Sequence, residues 1–119
     1  MMEQIRTISF IGAGNVATHL AIALKNARFD VREVYSKTYE NAQMLAKKVD
    51  GKAIRSINDL DPTIDLYLVS IPDGAIKDVM KQFPQVEGIV AHTSGISPMS
   101  TIEKMSQYGV FYPLQTFSK

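Results

Sequence analysis

Residues 5–17 read IRTISFIGAGNVA, an apolar run that ends on Gly12 and turns through Ala13, Gly14 and Asn15 into Val16 and Ala17. The run is short and nearly continuous, the pattern of a strand buried on both faces of a parallel sheet. Beyond the glycines, Val16, Leu20, Ala23, Leu24 and Ala27 recur at helical spacing, so a helix follows and lays its apolar stripe on that strand. A buried strand leading through a glycine turn into a helix is the opening unit of an alternating α/β fold.

The alternation continues along the chain. Residues 31–35 make a second strand, and Tyr39, Ala42, Leu45, Ala46 and Val49 a second helical stripe that ends at Gly51. Residues 51–54 leave room for only a short strand, with a loop or helical turn over residues 56–61. Residues 66–71 form the most hydrophobic strand, followed by Pro72, Asp73 and a helix whose apolar side is Ile76, Val79, Met80 and Phe83. Residues 88–91 read as a fifth strand. Pro98 then occupies a position where a first helical turn tolerates proline, with Met99, Ile102 and Met105 as the apolar face, and residues 110–112 make a last strand halted by Pro113. Each crossover between parallel strands must be right-handed and cover one face, so the expectation is a doubly wound, mostly parallel sheet of about six strands, order 3-2-1-4-5-6, with helices on both faces.

Composition narrows the partners. A chain of 119 residues with 45% apolar and 21% charged residues suits one domain with its own core. Thirteen Lys and Arg against twelve Asp and Glu leave a formal charge of +1, and neither sign forms a run, which argues against nucleic acid or a membrane surface as partner. No cysteine is present, so disulfides, thiol catalysis and cysteine-ligated zinc drop out. No His, Asp or Glu cluster has metal-ligand spacing. Residues 8–24 are rich in apolar and small side chains, but Asn15, His19 and the preceding Glu3 are foreign to a signal peptide or membrane span. A cytoplasmic location is expected.

The turn Gly12-Ala13-Gly14-Asn15-Val16-Ala17 fits GxGxxG/A in the context that gives the motif meaning, after a strand and at the mouth of a helix. Gly12 permits the tight turn, Gly14 lets a pyrophosphate approach the backbone, and the small Ala17 allows close packing of helix on strand. The competing accounts are a bare structural turn, or a loop for S-adenosylmethionine or another nucleotide. At about 20 residues past the turn, NAD sites place an acid for the ribose hydroxyls. Here that place holds Ser36-Lys37-Thr38, two hydroxyls and an ammonium, which suit the charge and acceptor oxygens of a 2′-phosphate. NADP is therefore favoured over NAD, and a methyltransferase is disfavoured. The alternative for these residues is a solvated lysine with Thr38 capping the next helix.

Two further turns face the same end of the sheet. Ser70, Ile71 and Pro72 lie at the carboxyl end of the fourth strand, where backbone can run along a cofactor, and Asp73 reads as the cap of the next helix. His92-Thr93-Ser94-Gly95 follows the fifth strand. Either His92 serves as general acid with Ser94 positioning substrate, or His92 and Thr93 satisfy backbone groups around a turn made at Gly95.

Taken together, the glycine turn, Tyr35-Ser36-Lys37-Thr38, Ile71-Pro72-Asp73 and the pairing of HTSG at residues 92–95 with YPLQTF at residues 112–117 resemble one family. It is the Rossmann-like family whose members carry a C-terminal helical domain of unknown function, related to pyrroline-5-carboxylate reductase and the deazaflavin-dependent NADP reductases. The resemblance covers essentially the whole chain; the glycine turn is generic, the HTSG and YPLQTF pair distinctive. It implies an NADP-binding domain over residues 1–119 and a second, helical domain, beyond this sequence, that completes the active site and forms a homodimer. The relatives reduce C=N or C=O bonds or exchange hydride with a deazaflavin, and no substrate carries over. The leading expectation is thus the cofactor half of an NADP-dependent oxidoreductase, inactive by itself; the alternative is a nonenzymatic NADP-binding sensor or interaction module.

Overall fold

The computed structural model describes residues 5–92 and 115–116, and within them the alternation becomes one six-stranded sheet. β1 (Thr7–Ile11) leads into α1 (Asn15–Asn26), β2 (Asp30–Tyr35) into α2 (Tyr39–Val49), and β3 (Lys52–Ile54) into a 3-10 turn at Ile57–Asp59. β4 (Leu66–Val69) leads into α3 (Asp73–Gln82), and β5 (Ile89–His92) lies beside β4. The strand order is β3-β2-β1-β4-β5-β6, and over the first five strands it is the order expected. The first five strands are parallel, while β6 (Gln115–Thr116) runs antiparallel to β5. This edge strand lies beyond Pro113, where the sequence reading places no strand. The strand expected at residues 110–112 and the helix expected after Pro98 lie outside the described residues.

The two faces of the sheet carry separate apolar layers. Ile8, Phe10, Val34, Leu66 and Leu68 point to α1 and α2, which answer with Ala17, Leu20, Leu24, Ala42, Leu45 and Val49. On the other face, Ile11, Ile54, Tyr67, Val69 and Val90 pack with Ile57 of the 3-10 turn, and Ile76, Val79, Met80 and Phe83 lean on them from α3 and its end. Tyr67 and Phe83 meet edge to face, ring centroids 5.6 Å apart at 80°, a geometry that adds about 0.5–1.5 kcal/mol beyond burial.

The stripe of α1 differs from expectation. Its buried residues are Ala17, Leu20, Ala21 and Leu24, and Val16 stays 46% exposed. The helix is rotated by about one position because Ala17, 1% exposed, is the residue small enough to press against the strands. The α2 stripe holds at Ala42, Leu45, Ala46 and Val49, with Tyr39 half-buried.

Two polar side chains of the second layer converge on the backbone of Asp61. Tyr67 donates its hydroxyl to Asp61 O and accepts from Ile64 N–H. Glu33, 6% exposed, accepts the Asp61 N–H through both carboxylate oxygens, at 2.8 and 3.2 Å. Ser9, paired across the ladder with Glu33, has a fully buried hydroxyl without a hydrogen-bond partner. No helix among the described residues is long and apolar enough to cross a membrane.

Candidate functional site

The ladder registers bring the carboxyl ends of the five parallel strands level. Ile11 pairs with both Tyr35 and Val69, Tyr35 with Ile54, and Val69 with His92. Because the order reverses between β1 and β4, the helices after these two strands leave to opposite faces and open a crevice above β1. Every segment singled out from the sequence that the structure describes lies at this end.

Gly12 is the hinge of the crevice. Its N–H donates to Tyr35 O at 2.7 Å, and Ser70 N–H donates to Ile11 O at 2.8 Å, so the tips of β1, β2 and β4 are bonded together. Gly12 has φ +119°, and a Cβ there would stand 2.2 Å from Ser70 O and 3.1 Å from Ile71 Cγ2. Conformation and space both demand glycine at this position.

Gly14 is different. It occupies the N-cap of α1 with φ −79° and ψ −165°, backbone angles open to any residue, and a Cβ there would meet nothing within 4 Å. The fold itself gives no reason for glycine. The cap makes no side-chain hydrogen bond, and the first turn carries no acid, so the first-turn N–H groups and the positive end of the helix dipole face outward without a side-chain partner. Gly14, Asn15 and Val16 are exposed; Ala13 is half-buried, and its carbonyl accepts the Thr18 hydroxyl at 3.5 Å. Such a terminus is suited to an anion brought close to the backbone.

At the tip of β2, the half-buried Ser36 accepts the Thr38 N–H at 3.3 Å and folds the loop back on itself. Thr38 is the N-cap of α2 without a side-chain bond, so it holds the cap position expected of it but not the capping contact. Lys37 is exposed, and the ion pairs among the described residues are those of Lys25 with Asp50 and Arg32 with Asp30. Next to this loop, at the end of β3, Arg55 lays its guanidinium 3.8 Å from the centroid of the Tyr39 ring. Arg55 and Tyr39 were not among the expected site residues; only the pairing of β2 with β3 brings Arg55 to the loop.

Ser70, Ile71 and Pro72 form the connection from β4 to α3. Pro72 holds the cap position and Asp73 is the first helical residue, which corrects the expectation that Asp73 is the cap. The proline has no N–H to satisfy and sets the φ of the entry. His92 belongs to β5 itself, is 5% exposed, and places Nε2 3.4 Å from Ile71 O. A carbonyl only accepts, so this contact calls for the tautomer with hydrogen on Nε2, and the ring braces the β4–α3 connection from the neighbouring strand. Ser94 lies outside the described residues.

The shifted ionisable groups lie at the other end of the sheet. Burial pushes the Tyr67 hydroxyl up to about 12, against the Ile64 N–H. Burial also raises the Glu33 carboxyl, opposed by the Asp61 N–H and by the nearby Ser9 hydroxyl, which pulls the same way without well-formed hydrogen-bond geometry. Asp65 is buried enough to be pushed up, but the N–H groups of Thr7 and Arg6 outweigh this and hold it below its ordinary value. A cavity of about 220 Å³ also opens at that end, lined by Ile5, Thr63, Ile64, Asp65, Glu87 and their neighbours; it is remote from the glycine turn. The described residues contain no group of three or more His, Asp or Glu side chains able to hold a metal.

Residues 2–116 match the model of the Rossmann-like domain family. Among solved structures, a Bacteroides fragilis protein described as an NADP oxidoreductase is 35% identical, with a TM-score of 0.73 over 76% of this chain and 36% of that one. An imine reductase from a Pseudomonas species superposes with a TM-score of 0.64 at 18% identity, over 87% of this chain and 37% of the other, a likeness of fold. The L-aspartate dehydrogenase of Methanothermobacter thermautotrophicus is 26% identical over 77 residues, 63% of this chain and 30% of that protein. The chain thus spans about a third of the length of these relatives.

Proposed function

As this chain belongs to the Rossmann-like domain family, we propose that it is the NADP(H)-binding domain of an oxidoreductase that passes hydride to or from a small C=N, C=O or deazaflavin acceptor. The observation that carries the reading is Gly14. Neither its backbone angles nor its surroundings call for glycine, whereas a pyrophosphate seated on the uncapped N-terminus of α1 would need that bare backbone.

In this reading the backbone of Gly12, Ala13, Gly14, Asn15, Val16 and Ala17 holds the pyrophosphate. Ser36, Lys37 and Thr38 bind the 2′-phosphate, and Ser70, Ile71 and Pro72 run beside the nicotinamide half. The likeness to a Bacteroides fragilis protein described as an NADP oxidoreductase supports the choice of cofactor. The cofactor supplies the hydride; this chain supplies its orientation. His92 holds the β4–α3 connection in place, and a role for it as general acid, with Ser94 positioning substrate, requires its ring to turn from Ile71 towards the acceptor. A second domain, which the greater length of the relatives favours, closes the site, excludes water and makes the homodimer. We place the full-length protein in the cytoplasm.

The test is a calorimetric titration of wild type and Gly14→Val with NADPH and NADH. Wild type is expected to bind NADPH more tightly than NADH, and Gly14→Val to bind neither while melting as a folded protein. Undiminished NADPH affinity in folded Gly14→Val would overturn the placement of the pyrophosphate. Lys37→Ala is expected to weaken NADPH roughly ten- to a hundredfold, the worth of one charge-assisted contact, and to leave NADH unchanged.

A further inference from the structure

The register of β2 and β3 brings a second cation to the loop that carries Lys37. Tyr35 pairs with Ile54, so Ser36 and Arg55 are the next residues on two neighbouring parallel strands. Arg55 does not wander in solvent: its guanidinium lies 3.8 Å from the centroid of the Tyr39 ring, and Tyr39 opens α2 directly after Thr38. Stacking uses the flat face of a guanidinium and leaves its N–H donors, which radiate in the plane, free for an acceptor at the edge. Arg55 is in neither ion pair of the described residues, and neither is Lys37. Glu40, the acid in the first turn of α2, pairs with neither cation.

We infer that Arg55, seated on Tyr39, is a specificity-determining residue that binds the 2′-phosphate together with Lys37. The inference rests on the dinucleotide reading above and goes beyond it. A guanidinium offers two parallel donors to two phosphate oxygens, which an ammonium does not, and the ring fixes its orientation before the ligand arrives, lowering the ordering cost of binding. NADH has no group at this position, so Arg55 discriminates between the cofactors and contributes little to the affinity they share. A rival account makes the stack a clasp that fastens α2 to the β3 edge, in which case its loss loosens the loop for both cofactors alike.

The experiment compares NADPH and NADH dissociation constants for wild type, Arg55→Met, Arg55→Lys and Tyr39→Leu, with a thermal melt of each. Arg55→Met keeps an aliphatic stem on the ring and removes the charge; NADPH is expected to weaken roughly ten- to a hundredfold and NADH to stay within about twofold. Arg55→Lys restores charge without the planar fork and is expected to recover only part of the loss. Tyr39→Leu keeps the charge without its seat and should weaken NADPH less than Arg55→Met, again sparing NADH. Unchanged NADPH affinity in Arg55→Met overturns the inference, and so does a parallel loss of both cofactors, the signature of a clasp. Should Arg55→Met melt below the assay temperature, Arg55→Lys and Tyr39→Leu decide by the same criteria. If wild type binds neither dinucleotide, the domain reading itself falls; if wild type prefers NADPH and the Arg55 variants keep that preference, only the role of Arg55 falls.

Discussion

The two ends of the sheet spend their polar groups differently. At the amino ends of the strands the chain pairs most of its polar groups, the buried Ser9 hydroxyl excepted: Asp65 accepts the N–H groups of Arg6 and Thr7, its own N–H goes to the Thr7 hydroxyl, and Tyr67 bridges Asp61 and Ile64. At the carboxyl ends the cap of α1 makes no side-chain bond, and Lys37 and Arg55 enter no ion pair among the described residues. Unsatisfied polar groups are costly when buried and tolerated when a ligand or water completes them. The first end holds the fold together, and the second leaves its donors and charges uncommitted, as the proposed dinucleotide site requires.

The sharpest way to break this contrast is to place one methyl group at each of the two glycines. Gly12→Ala forces a side chain onto φ +119° and against Ser70 O, 2.2 Å from the ideal Cβ. Strain at such angles alone amounts to about 1–3 kcal/mol, and the backbone clash adds to it. A loss of about 3 kcal/mol or more in urea-denaturation stability is expected, or a protein that does not fold. Gly14→Ala meets open space at φ −79°. A poorer N-cap and a less flexible unfolded chain oppose each other there, each by about 1 kcal/mol or less. Its stability is expected to stay near wild type while NADPH affinity falls. Equal destabilisation by the two changes would show that both glycines serve the fold alone.

At the other end, Tyr67→Phe removes the hydroxyl that accepts from Ile64 N–H and donates to Asp61 O. The ring and its edge-to-face contact with Phe83 remain, so the loss isolates the two hydrogen bonds. Leaving buried backbone groups unpaired costs about 1–3 kcal/mol, and chemical denaturation should report a drop in that range. NADPH affinity should not change, because the affected groups lie at the far end of β4 from the glycine turn. A weakened NADPH titration in a folded Tyr67→Phe protein would mean that the two ends are coupled.

The sequence makes the carboxyl end easier to read than the amino end, and for a physical reason. The glycine turn and Ser36-Lys37-Thr38 are contiguous stretches whose chemistry follows from local order, and buried parallel strands announce themselves as apolar runs. What escapes is set by register or by rotation. Arg55 reaches the β2 loop only because Ile54 pairs with Tyr35. Val16 and Ala17 are both apolar, so helical periodicity alone does not say which faces the strands; the need for a small side chain at the crossing decides for Ala17. Asp73 reads as a cap because short acids favour that position, yet the proline before it takes the cap. Ser9 and Tyr67 are hidden in strands that read as apolar runs, and Glu33 in a strand whose other charges, Asp30 and Arg32, are exposed; a buried polar residue shows its surroundings only across the ladder.

The smallest expected effect concerns Glu33, the one raised carboxylate among the described residues. Glu33 lies in β2, 6% exposed, with the Asp61 N–H on its two oxygens. Burial disfavours its charged form more than that donor and the neighbouring Ser9 hydroxyl favour it, so its carboxyl titrates above the ordinary glutamate value. The folded protein then binds more protons than the unfolded chain in the window between the unfolded glutamate value, about 4.3, and the raised folded one. Stability from this group is therefore full below that window and lost as pH rises through it. Asp61, lowered chiefly by the Thr63 hydroxyl and N–H, and Asp65 act in the opposite sense, losing stability as pH falls. They cancel when wild type is compared with Glu33→Gln, because both proteins keep them. The glutamine retains a carbonyl oxygen for the Asp61 N–H and adds an amide donor that the unpartnered Ser9 hydroxyl can accept. Urea midpoints between about pH 4 and 7 should show wild type losing ground to Glu33→Gln as pH rises, with the variant at least as stable near neutrality. A difference independent of pH, or one that grows in favour of wild type, would mean that the Asp61 N–H outweighs burial and that Glu33 works as an ordinary ionised acceptor.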